Sequence, residues 1–445
     1  MEFISRRSLL GSSAAAAGSA LAFSAGKAQA ARTKKLSLRT HPLEGLRRPN
    51  IKITGVQLMH LSYRLKPEEE WPDADSHVVA WKTEAAIVKV STDAGITGLG
   101  SCNQFKGPRQ MKEYIEAVIA PILRGKNPYD VEELSGGISG PGGRGAWGGV
   151  ATALWDIIAK SQGLPLYKLL AIDTEPVTRI PVYASGGEFS WRRGSRFPGP
   201  EDLIRQALTH QKNGYKAIKF RPGAGFGKLG IRISDFVPYV ERIRQAVGPE
   251  FQLMQEANMR WSVAQCLEIA PVLEAQKFLW FEEPTGRIAQ DYLAVKKALP
   301  TVKISGGEKR GNRAENAEML DSGAYDIVQH SCDDAGVTEA WHMARMAHTR
   351  GKLLATHNWG DGLMAVANAH LMAASPNRLL LEMNMTPDPF KEGVLKDGPV
   401  VKDSYFDIPD KPGLGVELRE GLEEMYPPLP GECFRPDPEM AQNTR

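Results

Sequence analysis

Leu253-Met254-Gln255-Glu256, Leu279-Trp280-Phe281-Glu282 and Lys303-Ile304-Ser305-Gly306-Gly307-Glu308 are three short apolar runs, each closed by a glutamate. The glutamates stand 26 residues apart both times. One strand, one helix and two turns take about that length in a repeating βα fold. The spacing therefore predicts three consecutive parallel strands, each ending on an acid, with the three acids converging on one mouth. A glutamate after a strand is usually a solvated loop residue. Three in register would repel one another unless a cation lay between them.

Outward from these runs the same rhythm continues. Apolar stretches at Ile180–Ala184, Ala217–Phe220, Gln252–Met254, Phe278–Phe281, Val302–Ile304, Asp326–Val328, Leu353–Ala355 and Leu379–Leu381 give eight candidate strands, most separated by helix-length spacers. This predicts an α/β fold, a (β/α)-type barrel over residues 176–384. Such barrels carry their chemistry on the C-terminal strand ends, where Lys219, Glu256, Glu282, Glu308, His330, His357 and Glu382 fall. Residues 51–175 read differently. Ile51–Ser62, Ala85–Ser91 and Ile96–Ser101 alternate as strands, with a turn at Asp93-Ala94-Gly95, and helical patterns follow near Gln110–Leu123 and Ala151–Ala159. This predicts a small α+β unit. The Pro- and Gly-rich segment 385–445 is expected to pack back on it.

The N-terminus reads as an address. Ser5-Arg6-Arg7-Ser8-Leu9-Leu10, a mild apolar run and Ala28-Gln29-Ala30 have the form of a Tat-type signal over residues 1–30, so a periplasmic location is expected. Residues 31–50 read as a polar linker. The chain of 445 residues carries a net charge of +3, and residues 1–30 supply two of those charges. A nearly neutral body argues against nucleic acid as a partner, and no segment is long and apolar enough to span a membrane. The four cysteines, Cys102, Cys266, Cys332 and Cys433, show no zinc spacing.

Several segments resemble the mandelate racemase branch of the enolase superfamily. Leu253–Trp261 is similar to its LMxDANxxW segment, Trp280–Pro284 to WxEEP, Ser305–Glu308 to its GE motif, and Pro412-Gly413-Leu414-Gly415-Val416 to its PGLGV signature. The resemblance implies a modified (β/α)7β barrel under a capping domain. It makes Glu256, Glu282 and Glu308 ligands of Mg²⁺, a hard ion that takes oxygen donors. The superfamily pairs such an ion with a Lys or His base to remove a proton α to a carboxylate. Gly214–Arg221 resembles the GFxxxKxK strand, with Arg221 where the second Lys is often a base. Arginine is a poor base, so Arg221 is expected to act as an electrostatic clamp and Lys219 to meet the substrate carboxylate. Thr356–Gly360 resembles PHxWG and makes His357 the acid/base. Its usual Asp partner corresponds to His330 by counting back from Gly336, with Asp333 as the alternative. Glu382 resembles an eighth-strand acid that touches the substrate carboxylate in some members. Glu256 in place of Asp, and Lys309 in place of Asn, depart from the pattern.

The resemblance implies an acid-sugar dehydratase, a lyase giving a 2-keto acid. The alternatives are a racemase, epimerase or cycloisomerase of the same superfamily, or a periplasmic binding protein that kept the fold without the chemistry. Cap loops near Tyr63–Trp81 and Cys102–Arg109 would shape the pocket, with Trp81, Trp191, Arg192 and Arg193 readable as either lining or surface. The family is often oligomeric, which leaves a homo-oligomer open.

Overall fold

The computed structural model describes residues 39–72, 78–103, 107–135, 143–189, 200–222, 232–308 and 313–436. The signal-like segment, Trp191, Arg192, Arg193, Lys309 and part of each cap loop lie outside them.

The alternating N-terminal stretches form an antiparallel sheet in the order β1 (Ile53–Arg64), β2 (Lys82–Thr92), β3 (Thr97–Cys102). Helix α1 (Gly143–Ser161) packs on β3 so tightly that a side chain there is excluded. A Cβ at Gly100 would sit 2.0 Å from the Gly149 carbonyl oxygen, and one at Gly98 the same distance from that of Ala153.

The barrel follows as β4 (Arg179–Phe189), α2 (Pro200–Lys212), β5 (Ala217–Pro222), α3 (Ile233–Val247), β6 (Gln252–Glu256), α4 (Val263–Ala275) and β7 (Trp280–Glu282). It continues through α5 (Ala289–Lys297), β8 (Lys303–Gly306), α6 (Arg313–Asp321), β9 (Ile327–Val328), α7 (Cys332–Thr349), β10 (Leu353–Leu354), α8 (Gly362–Ala374) and β11 (Leu381–Asn384). Neighbouring strands pair in parallel from β4 to β10. β11 pairs with β4, and a bridge between Leu354 and Arg378 closes the ring. Eight strands with seven intervening helices make a (β/α)7β barrel, and each predicted strand is present. The cap sheet and barrel lie in one compact unit, Leu36–Arg445.

The interior explains where the site lies. Tyr183, Ala217, Met254, Trp280, Ile327, Ala355 and Leu380 form an inward-facing apolar layer. Side chains two apart on a strand share a face. The next inward layer is therefore Ser185, Lys219, Glu256, Glu282, Gln329, His357 and Glu382. An apolar plug thus supports a polar ring at the C-terminal strand ends.

Buried polar joints bind cap, barrel and C-terminal segment. Asp156 of α1 accepts bonds from Leu99 N, Lys160 Nζ and Leu414 N at 2.9, 2.6 and 2.7 Å. This accounts for Gly413, whose φ is 75° and where a Cβ would meet Asp156 Oδ1 at 2.1 Å. On α8, His370 Nδ1 accepts from Tyr167 N at 3.0 Å, so Nε2 carries the proton and donates to Leu414 O at 3.1 Å. Burial holds its pKa down at about 4, from 6.5, despite the Leu414 carbonyl. Protonating the ring breaks the Tyr167 bond. The folded state thus binds this proton later than the unfolded one. The native state is expected to lose on the order of 3 kcal/mol as pH falls from about 6.5 through about 4. Denaturant unfolding across that range checks it, and His370→Gln should flatten the slope.

The four cysteines are buried thiols. Near the C-terminal end, Phe434–Pro436 pairs with Val78–Ala80, which also pairs with Trp71–Pro72. No helix among the described residues is long and apolar enough to cross a membrane.

Candidate active site

Strands β6 and β7 end on Glu256 and Glu282, and Glu308 follows β8. Each offers an oxygen, and the three oxygens lie within 4.8 Å of one another. The residues are 0, 0 and 4% exposed, so water does little to separate their charges.

Lys219 enters this cluster from β5. Its Nζ lies 2.7 Å from Glu282 Oε1, 3.0 Å from Glu256 Oε2 and 2.8 Å from Glu382 Oε1. Burial pulls its pKa down, but the three carboxylates outweigh that and hold it well above the ordinary lysine value. Lys219, expected to meet the substrate carboxylate, is instead a fixed cation deep in the ring with three of the protein's own acids around it. Arg221, two residues on, gives Glu256 Oε2 bonds of 3.1 Å from Nε and 2.9 Å from Nη2. Its guanidinium lies 4.3 Å from the Trp359 ring centroid, within cation–π range.

Burial raises the pKa of Glu256, Glu282 and Glu382, and their neighbours then bear on the outcome. For Glu256, Arg221 and Lys219 prevail and the pKa falls. For Glu382, Lys219 and His357 bring it to about 2. For Glu282, burial is the largest effect, Lys219 opposes it, and Glu256, Glu382 and Glu308 add to it, so the pKa rises to about 8. Glu282 is held in place by Trp280 Nε1 at 3.0 Å and Gln329 Nε2 at 2.7 Å, both on Oε2.

The donor set fits a divalent cation. When all four are ionised, Glu256, Glu282, Glu308 and Glu382 carry two more negative charges than Lys219 and Arg221 balance, and the raised Glu282 pKa is the metal-free site's response to that excess. All three converging donors are carboxylate oxygens, which suit Mg²⁺.

The His357 ring stands beside the cluster, its Nε2 3.5 Å from Glu308 Oε2 and its side chain 12% exposed. Among the described residues, neither His330 nor Asp333 bonds this ring. His330 stands two residues past β9 and is fully buried. Asp333 bonds the Ser331 hydroxyl and Asn103 Nδ2, the latter at 2.8 Å. Glu382 accepts from Asn358 N at 2.8 Å and Trp359 Nε1 at 3.1 Å, so it fixes the His357 loop from below.

Three contributors were not singled out from sequence. Asn258 donates from Nδ2 to Glu256 Oε1 at 2.8 Å. Its φ of 48°, with Met259 at 63° and Glu283 at 41°, marks strained turns beside the ligands. An Asn two residues after a strand-end acid was the available signal. Glu283, fully buried, accepts from Gly307 N at 2.8 Å and so ties the Glu308 turn to β7. The third is the aromatic wall. Trp71 meets Trp359 at 5.7 Å and Phe434 at 5.5 Å between ring centroids. Trp81, by contrast, donates to the Glu432 carbonyl at 2.8 Å.

The C-terminal mouth of this eight-stranded barrel thus gathers three converging carboxylates that could hold a divalent cation, with a histidine beside them. Residues 202–422 match the model "Enolase C-terminal domain-like", and residues 67–171 the mandelate racemase / muconate lactonizing enzyme N-terminal domain. The chain is 30% identical to an enolase superfamily member of Polaromonas sp. JS666, covering 86% of this chain and 99% of that one with a TM-score of 0.75. It is 27% identical to D-galactarolactone cycloisomerase of Agrobacterium fabrum, over 85% of this chain and 100% of that protein. It is 28% identical to arabinonate dehydratase of Saccharolobus solfataricus, over 77% and 90%. The chain belongs to the enolase superfamily, in its mandelate racemase/muconate lactonizing branch.

Proposed function

We propose that this enzyme is a Mg²⁺-dependent hydro-lyase of acid sugars. It removes the proton α to a carboxylate, expels the β-hydroxyl as water and yields a 2-keto acid. The observation that carries this reading is the buried ring of acids, two negative charges in excess once all are ionised, with one histidine at its edge. Glu256, Glu282 and Glu308 would hold the cation, which when bound supplies positive charge to offset that building on the substrate carboxylate. His357 takes the α-proton and returns a proton to the leaving hydroxyl. Lys219 keeps its proton under its three carboxylates and orients them. Arg221 fixes Glu256 and lends positive charge to the mouth. Trp71, Trp359 and Phe434 exclude water on one side.

A single acid/base supports elimination over two-base racemisation. A cycloisomerase is the second reading, favoured by the A. fabrum relative, which is matched over its whole length. The twin-arginine segment supports work in the periplasm, with a homo-oligomer compatible with the fold.

The test is incubation with Mg²⁺ and a library of acid sugars in D₂O, followed by proton NMR. A 2-keto product is the expected result. Deuterium entering at the α-carbon without a keto product would favour the cycloisomerase or epimerase reading. Neither signal from any acid sugar would overturn the proposal.

A further inference from the structure

A second group of ligand-type side chains lies outside the barrel ring. His41 precedes the cap sheet, Glu132 lies in the short helix Val131–Ser135, and His342 is on α7. We propose that His41, Glu132 and His342 form a separate site for a borderline transition ion of the Zn²⁺ type, which fastens the N-terminal segment to cap and barrel.

The geometry is close to that of a loaded site. The three ligand atoms lie within 4.8 Å of one another. His41 Nε2 is 2.9 Å, and His342 Nε2 3.2 Å, from Glu132 Oε1. Tetrahedral zinc with bonds of about 2.0–2.1 Å needs its ligand atoms roughly 3.3 Å apart. Two imidazoles and one carboxylate suit zinc and its neighbours, whereas the all-oxygen barrel centre suits Mg²⁺. The side chains are 25, 33 and 24% exposed, which gives an ion access and leaves room for a water as fourth ligand.

The surroundings hold the ligands still. The His41 ring lies 5.3 Å from Trp341 and 6.3 Å from Trp155. Those indoles are fixed by bonds to Leu170 O at 3.1 Å and Thr338 Oγ1 at 2.8 Å. Arg313 approaches the other Glu132 oxygen at 3.8 Å, but Glu339 holds its guanidinium at 2.5 and 3.0 Å. His41 Nδ1 accepts from Leu43 N at 3.2 Å, so its proton sits on Nε2, facing Glu132. Loading shifts that proton to Nδ1 and exchanges the Leu43 bond for a coordination bond. His41 lies before residue 67, where the match to the family's N-terminal domain begins, whereas Glu132 and His342 lie inside the matched ranges.

The test uses the full chain, stripped with chelator, exposed to Zn²⁺ and desalted in excess Mg²⁺ to occupy the barrel centre. Elemental analysis should find one more zinc equivalent in the wild type than in His41→Gln or His342→Gln. Zinc should also raise the wild-type Tm and leave both variants unchanged. Glutamine keeps an N–H for Glu132 but is a poor zinc ligand, so a plain hydrogen-bonded contact would survive these changes. Equal zinc content in all three proteins would overturn the site. Because the mouth is held with Mg²⁺ throughout, the result does not depend on the reaction proposed above.

Discussion

Glu282→Gln is expected to abolish turnover without destabilising the metal-free protein. Glu282 is the middle acid, fully buried, bonded by Lys219, Trp280 and Gln329. Glutamine keeps its shape and loses its charge. One of the three carboxylate donors for the cation becomes a neutral amide, and kcat/KM should fall about a thousandfold, equivalent to ~4 kcal/mol. Stability should move the other way. Burial and the neighbouring acids raise the Glu282 pKa from 4.5 to about 8. The folded state then holds this proton more tightly than the unfolded one, so metal-free wild type loses stability as pH rises from about 4.5 through about 8. The variant lacks that loss, and its metal-free Tm at pH 8 should equal or exceed that of wild type. Mg²⁺ should raise the wild-type Tm and have little effect on the variant. A variant that unfolds instead would make Glu282 structural and remove the cation argument.

His357→Asn separates proton transfer from metal binding. The ring approaches Glu308 at 3.5 Å without belonging to the acid triad. Its loss should lower kcat by about 10²–10⁴-fold, the usual range for a general acid/base. Deuterium exchange at the substrate α-carbon should vanish, while Mg²⁺ binding by calorimetry stays near wild type. Retained exchange in the variant would move the base elsewhere. Lys219 is a poor substitute, because its three carboxylates hold its proton firmly.

The sequence and the structure agree where information is local and periodic. Eight apolar runs become eight strands, and the repeated 26-residue spacing places Glu256, Glu282 and Glu308 together, because each strand carries its own register to the mouth. The partners of those acids were less legible. Nothing near Lys219 in sequence says that it bonds three carboxylates from β6, β7 and β11. Only barrel closure brings them to one point. The histidine partner shows the limit of motif counting. His330 was aligned by its distance from Gly336, yet the residue that reaches the acids from this segment is its neighbour Gln329, bonded to Glu282. The Asp156–Leu414, Tyr167–His370 and His41–Glu132 contacts join residues 258, 203 and 91 positions apart and left no local pattern.

The pairing of Phe434–Pro436 with Val78–Ala80 has a bearing on synthesis. Every acid of the mouth has left the ribosome while the aromatic wall is still missing a member. A chain stopped short of residue 434 would keep all three acids, His357 and the closed barrel, yet would leave Trp71 without its aromatic neighbour and Val78–Ala80 with an open edge. Such a product would bind its ion in a mouth still open to water. Completion of the pocket thus waits on residues 434–436, and their integrity becomes a condition of activity.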